Sequence, residues 1–155
     1  MTTAWLEPAG LVELVGEAAR HRDEETGGML LGYRNDGAIV ITDVVGPGPA
    51  ARHGRFTFRP DAQWQQGQVA KTYAASGRTT TYLGDWHTHP GGSTTLSRRD
   101  IRTLRGISRA KGARQPQPLM AVLAFDDDPQ DGRLVVWELP GRYRRPVPCR
   151  LQVMH

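Results

Sequence analysis

The chain has 155 residues, eighteen arginines and two lysines against sixteen acidic residues, a formal charge of +4 and one cysteine. One domain able to bury a real core is expected from this length. The sequence shows no apolar run long enough to span a membrane and no basic-then-apolar leader, and a lone Cys149 excludes an internal disulfide framework. A reducing cytoplasm is therefore the expected location.

Taken in order, Pro8 to Arg22 carries Leu11, Val12, Leu14, Val15, Ala18 and Ala19 at helical spacing, one buried stripe. Thr26-Gly27-Gly28 then turns the chain into the apolar run Met29 to Tyr33. Asn35-Asp36-Gly37 is a strong turn signal before Ala38 to Val45, and the two runs form a predicted hairpin. Gly46 to Arg55 reads as loop, with His53 as a surface residue, and Arg55 to Phe58 as a short strand. Pro60 and Asp61 open a helix to about Ser76. Thr80 to Trp86 is the next strand, with His87 and His89 at its C-terminal end. A glycine-rich linker from Gly91 to Thr95 precedes a helix from Ser97 to about Lys111. Leu119 to Phe125 is a continuous apolar run, the pattern of a central strand covered on both faces. Asp126 to Gly132 lacks the spacing of a calcium loop and reads as a solvated turn. Leu134 to Leu139 is a last core strand, and the proline- and arginine-rich residues 141–155 form a tail on or near the surface. Interspersed strands and helices predict a mixed sheet flanked by helices.

The chemistry concentrates between Asp85 and Asp100. Side chains alternate along an extended segment, so His87 and His89 share one face, with Trp86 and Thr88 on the other. Asp100, brought back by the next element, would be a third ligand. Three protein donors plus a water describe a catalytic zinc site, since structural sites close all four positions. A plainer reading stands beside it: Ser97-Arg98-Arg99-Asp100 fits a capping box, which explains Ser97 and Asp100 without any metal. Asp85 shares the face of the histidines and is placed to orient an imidazole through its free N–H, or is simply a polar strand residue. Arg98, Arg102, Arg105 and Arg109 fall on one helix face, read as a solvated face or as a docking face for an acidic protein or a nucleic-acid backbone.

Glu25-Thr26-Gly27-Gly28, then His87-Thr88-His89-Pro90, then Ser97 and Asp100, together resemble the signature of the JAMM (JAB/MPN+) metalloprotease family, and in wording its small bacterial members. The resemblance covers residues 8–140, nearly the whole chain. It implies a three-layer α-β-α sandwich similar in layout to cytidine deaminase. It also implies one Zn²⁺ held by His87, His89 and Asp100, Glu25 as general base and Ser97 as oxyanion donor, with Glu24 a solvent-facing charge. The implied reaction is hydrolysis of the amide bond after the C-terminal glycine of a ubiquitin-like protein or its conjugate; candidate walls for that tail are the Gly91 to Thr95 loop, Gly91 and Gly92 above all, and the strand edge after Gly27-Gly28. Conjugation enzymes or antiphage systems encoded nearby are the implied companions. Neither nucleic acid nor membrane is expected as a partner. Two other readings stay open: a peptidase that processes sulfur-carrier proteins, and a DNA-associated module that is not a protease.

Overall fold

A computed structural model describes residues 1–155. Strand β1 (Thr3–Leu6) leads into helix α1 (Pro8–Arg20), followed by the hairpin β2 (Gly27–Asn35) and β3 (Ala38–Val45). A two-residue hairpin, β4 (Arg52–His53) and β5 (Phe58–Arg59), precedes α2 (Ala62–Ala75). The chain continues through β6 (Thr81–Pro90), α3 (Arg98–Arg109), β7 (Leu119–Phe125), β8 (Arg133–Glu138), β9 (Val147–Pro148) and β10 (Arg150–Val153). Eight strands form one mixed sheet in the order β10-β1-β3-β2-β6-β7-β8-β9. The β10-β1, β1-β3 and β6-β7 pairs are parallel and the others antiparallel.

Side-chain alternation along β7 shows how the layers form. Leu119, Ala121, Leu123 and Phe125 join the large core with Leu14 and Ala18 of α1, whereas Met120 and Val122 pack with Leu104 of α3. All seven β7 residues are buried, as a strand covered on both faces requires. The mixed sheet with helices on its two faces is the architecture the sequence predicts.

Three local features set the position of the site. First, β6 runs through both histidines to Pro90, further than the strand predicted to end at Trp86, because partners exist on both sides. Gly27 and Gly28 pair with His87 and Trp86, and Val122 to Phe125 pair with His87 to Pro90. Second, the glycines are there for close approach. A Cβ on Gly28 would lie 1.8 Å from the Val45 carbonyl oxygen and 2.7 Å from Trp86 Nε1, and one on Gly27 would lie 2.3 Å from the Trp86 carbonyl oxygen. Third, the register of β2 against β6 shifts between Leu30 and Leu31, which pair with Gly84 and Tyr82 and leave Leu83 as an extra residue.

The tail stays near the surface, with Cys149 its one buried residue, and adds strands to the sheet. β10 extends the sheet beside β1, Cys149 N–H donates to the Val136 carbonyl at 2.8 Å, and the Cys149 side chain belongs to the large core. No helix is long and apolar enough to cross a membrane.

Candidate metal centre

His87 and His89 project from the α3 face of β6, while Trp86 and Thr88 are buried on the other face; the Trp86 indole N–H donates to the Val45 carbonyl at 3.0 Å. Helix α3 brings Asp100 to the two rings. His87 Nε2 lies 2.9 Å from His89 Nε2 and 3.1 Å from Asp100 Oδ1, and His89 Nε2 lies 3.4 Å from Asp100 Oδ2. The edge of a tetrahedron with bonds of about 2.1 Å is about 3.4 Å, so two imidazole nitrogens and this carboxylate lie close enough to share one metal ion. Among the chain's His, Cys, Asp and Glu side chains, this is the group compact enough to hold an ion, with its donor atoms within 4.8 Å of one another.

The outward nitrogens agree with that use. His89 Nδ1 is 2.7 Å from the Ser93 carbonyl, which can only accept, so the proton sits on Nδ1 and Nε2 turns to the centre. His87 Nδ1 faces the Met120 sulfur at 3.2 Å, again leaving Nε2 inward. Hydrogen bonding to Asp100 holds the His89 pKa above its ordinary value, against burial, with help from the Ser93 carbonyl and the Glu25 charge. Burial alone would raise Asp100, but the bonds from His87 and His89 overcome it and hold its carboxyl well below the usual carboxylate range.

Asp100 does two jobs at once. Its Oδ2 accepts from Ser97 N–H at 2.8 Å while its own N–H donates to Ser97 Oγ at 3.1 Å, a complete capping box at the start of α3. The capping and metal readings of Ser97 and Asp100 are therefore compatible: the cap is what presents the carboxylate to the histidines. Ser97 Oγ is an acceptor in the cap, so its own proton is left to donate, and the residue is exposed.

Glu25 lies two residues before β2, and its charge is felt at His89. Past the Gly27–His87 pair, Thr88 N–H donates to the Thr26 carbonyl at 2.9 Å, so β2 and β6 stay together up to the residue after Glu25. It is not among the three convergent donors. Glu24 faces solvent, as expected, with its Oε1 3.5 Å from His21 Nδ1.

Two further expectations need correction. Asp85 does not orient an imidazole. Its Oδ1 accepts from the Tyr82 hydroxyl at 2.7 Å, and burial pushes its carboxyl up to about 6 against the opposing Tyr82 and His87 contributions. The group that orients His89 is the backbone carbonyl of Ser93, which no residue type announces in a sequence. His53, expected at the surface, is half-buried, with Nδ1 3.0 Å from the Glu25 carbonyl oxygen.

Gly91, at φ +69°, makes the turn after Pro90, and Gly92 N–H donates to the His89 carbonyl at 3.1 Å. The turn thus carries Ser93 back to His89. Arg98, Arg102, Arg105 and Arg109 are exposed along α3 and line one shallow cleft with Ile101.

Comparison with known proteins places this arrangement. The profile of the family described as prokaryotic homologs of the JAB domain matches residues 8–138. The chain belongs to that family. Among curated relatives, this JAB domain is 40% identical over 121 residues to a probable metalloprotease of Sinorhizobium fredii, covering 77% of this chain and 74% of the relative. It is 29% identical over 136 residues to a CD-NTase/cGAS isopeptidase of Enterobacter hormaechei, covering 80% of this chain and 68% of the relative. A solved structure from Desulfitobacterium hafniense shares the fold, with a TM-score of 0.72 at 18% identity over 98% of this chain and 93% of that one.

Proposed function

We propose that this JAB domain is a zinc-dependent isopeptidase that cuts the amide bond after the C-terminal glycine of a ubiquitin-like protein or of its conjugate. The observation that carries this reading is the convergence of His87 Nε2, His89 Nε2 and the Asp100 carboxylate, with the two ring nitrogens 2.9 Å apart and one carboxylate oxygen 3.1 Å from His87 and the other 3.4 Å from His89. Two imidazoles and one carboxylate suit zinc and leave one position open. Bound there, zinc supplies Lewis acidity and lowers the pKa of water towards neutrality.

The chain's own groups do the rest. Glu25 takes a proton from the attacking water and returns it to the departing amine, so one carboxylate serves as base and then acid. Ser97, with its hydroxyl proton free for an outside acceptor, donates to the substrate oxygen as charge develops on it. Ser93 and Met120 fix the ring orientations from outside, and the Ser97 amide fixes the carboxylate. The turn at Gly91 and Gly92 borders the centre on the β6 side and is the proposed wall for an extended glycine tail.

The relatives named CD-NTase/cGAS isopeptidase favour a narrower second reading, in which the bond cut joins a nucleotidyltransferase of that type to a conjugation target. Under that reading the protein would act in antiphage defence, beside enzymes that make such conjugates.

The deciding experiment uses zinc-loaded protein and a ubiquitin-like protein whose C-terminal glycine is blocked as an aminomethylcoumarin amide. Release of the fluorophore by the parent, lost in Glu25→Gln at unchanged zinc content, is the expected result. Cleavage retained in Glu25→Gln removes the assigned base; no release by the zinc-loaded parent removes the substrate class.

A further inference from the structure

Glu25 stands where β2 has left its ladder, a place where a chain end ordinarily frays. Yet both of its backbone groups are held by one short loop. Its N–H donates to the Gly54 carbonyl at 2.9 Å, and its carbonyl accepts from His53 Nδ1 at 3.0 Å. A carbonyl only accepts, so His53 must carry a proton on Nδ1.

The His53 ring is itself fixed on its faces and not by a second hydrogen bond. It lies flat on His21, with ring centroids 3.7 Å apart at 12°, and Phe58 stands 5.4 Å away, tilted at 35°. His21 is braced in turn: its Nε2 is 3.4 Å from Glu17 Oε1 and its Nδ1 is 3.5 Å from Glu24 Oε1. Glu17 is 8% exposed and accepts from Arg20 at 2.6 Å. The end of α1 therefore holds one ring, that ring holds another, and the second ring's edge is aimed at the backbone of Glu25. The β4–β5 hairpin completes the clamp, with His53 paired to Phe58 and Gly54 N–H donating to the Thr57 carbonyl at 2.8 Å.

We propose that His53 is a positioning residue for the reaction: its Nδ1–H fixes the Glu25 backbone, and so the reach of the carboxylate, without touching substrate or metal. This rests on the reading of Glu25 as the base. Glutamate has three side-chain torsions, so its carboxylate is placed only as well as its backbone is. A misplacement of about 1 Å at a reacting group costs about 100-fold in rate.

Two variants separate the donor from the ring. His53→Phe keeps an aromatic face against His21 and removes the donor; His53→Asn keeps an N–H near the place of Nδ1 and removes the ring. In the aminomethylcoumarin assay, His53→Phe is expected to lose about ten- to 100-fold in kcat, at unchanged KM and zinc content. His53→Asn is expected to stay within about threefold of the parent, the tolerance for a retained hydrogen bond. A second readout needs neither zinc nor turnover: hydrogen exchange at the Glu25 amide of the zinc-free protein speeds up in His53→Phe and not in His53→Asn. Parent-like kcat and slow exchange in His53→Phe overturn the proposal, as does a His53→Asn variant as impaired as the phenylalanine one. If His53→Phe does not fold, a loss of more than about tenfold in a folded, zinc-replete His53→Asn overturns it by itself. Glu25→Gln serves as the control. Its retained activity would sink the base assignment, whereas an inactive Glu25→Gln beside a fully active His53→Phe sinks this inference alone.

Discussion

Asp85→Asn is expected to make the zinc-free protein more stable at pH 8 and not at pH 4. The carboxyl is raised from 3.8 to about 6, with burial as the main cause and the Tyr82 hydroxyl and His87 opposing it. A raised carboxyl binds its proton more tightly when folded than when unfolded. Below about pH 4 both states hold the proton and Asp85 contributes no penalty. Above about pH 6 both states are ionised, and the folded state bears the cost of a charge withdrawn from water. At about 1.4 kcal/mol per pH unit, that cost approaches 3 kcal/mol. Partial solvent access to Asp85 makes this an upper figure. Asparagine retains an oxygen for the Tyr82 hydroxyl, so the bond at 2.7 Å survives while the charge disappears. For a domain of this size each kcal/mol moves Tm by about 2 to 4 °C, giving a rise of several degrees at pH 8. Thermal unfolding followed by circular dichroism between pH 4 and 8, with chelator present, measures this directly. An Asp85→Asn Tm that is lower than the parent at pH 8, or a gain that does not shrink towards pH 4, would refute the reasoning.

Other outcomes follow from the same geometry. Ser97→Ala loses the side-chain half of the capping box, about 1 kcal/mol of stability, while kcat falls by about 100- to 1,000-fold; urea unfolding beside the fluorogenic assay separates the two effects. Asp100→Ala and His89→Ala are each expected to reduce bound zinc below one per chain by elemental analysis, and stoichiometric zinc in either would dismantle the ligand set. Chelation should abolish cleavage but preserve the far-ultraviolet spectrum, since neither core cluster includes a ligand residue; free zinc at 100 times Kd should then restore about 2.7 kcal/mol. Gly28→Ala must move the Val45 carbonyl or the Trp86 indole, and is expected to cost about 1 to 3 kcal/mol, read as a lower urea midpoint.

What could be read beforehand was whatever residue type and spacing encode. His87 and His89 share a face because a strand has period two, and Ser97 with Asp100 announces a helix start. The apolar run at Leu119 to Phe125 declares a strand buried on both sides. What escaped was set by distant or backbone partners. β1 is only four residues long and is paired with residues near the other end of the chain, Thr3 with Arg150, so nothing local marks it as a strand. Tyr82 and Asp85 are three apart, which in a regular strand puts them on opposite faces. The extra residue Leu83 reverses that parity and brings the hydroxyl to the carboxylate. Ser93 and Glu25 accept hydrogen bonds through their carbonyls, so the roles of the imidazoles that reach them depend on where the backbone passes.

The shared carboxylate of Asp100 has a consequence for how the protein acquires its ion. Because one oxygen of the carboxylate that would meet the metal also accepts from the N-cap amide of α3, winding the start of that helix and assembling the centre are coupled. Affinity for zinc is then partly a measure of how firmly α3 is wound. A substitution that loosens the helix two turns away, such as Arg109→Pro, should release the ion without altering any atom that binds it.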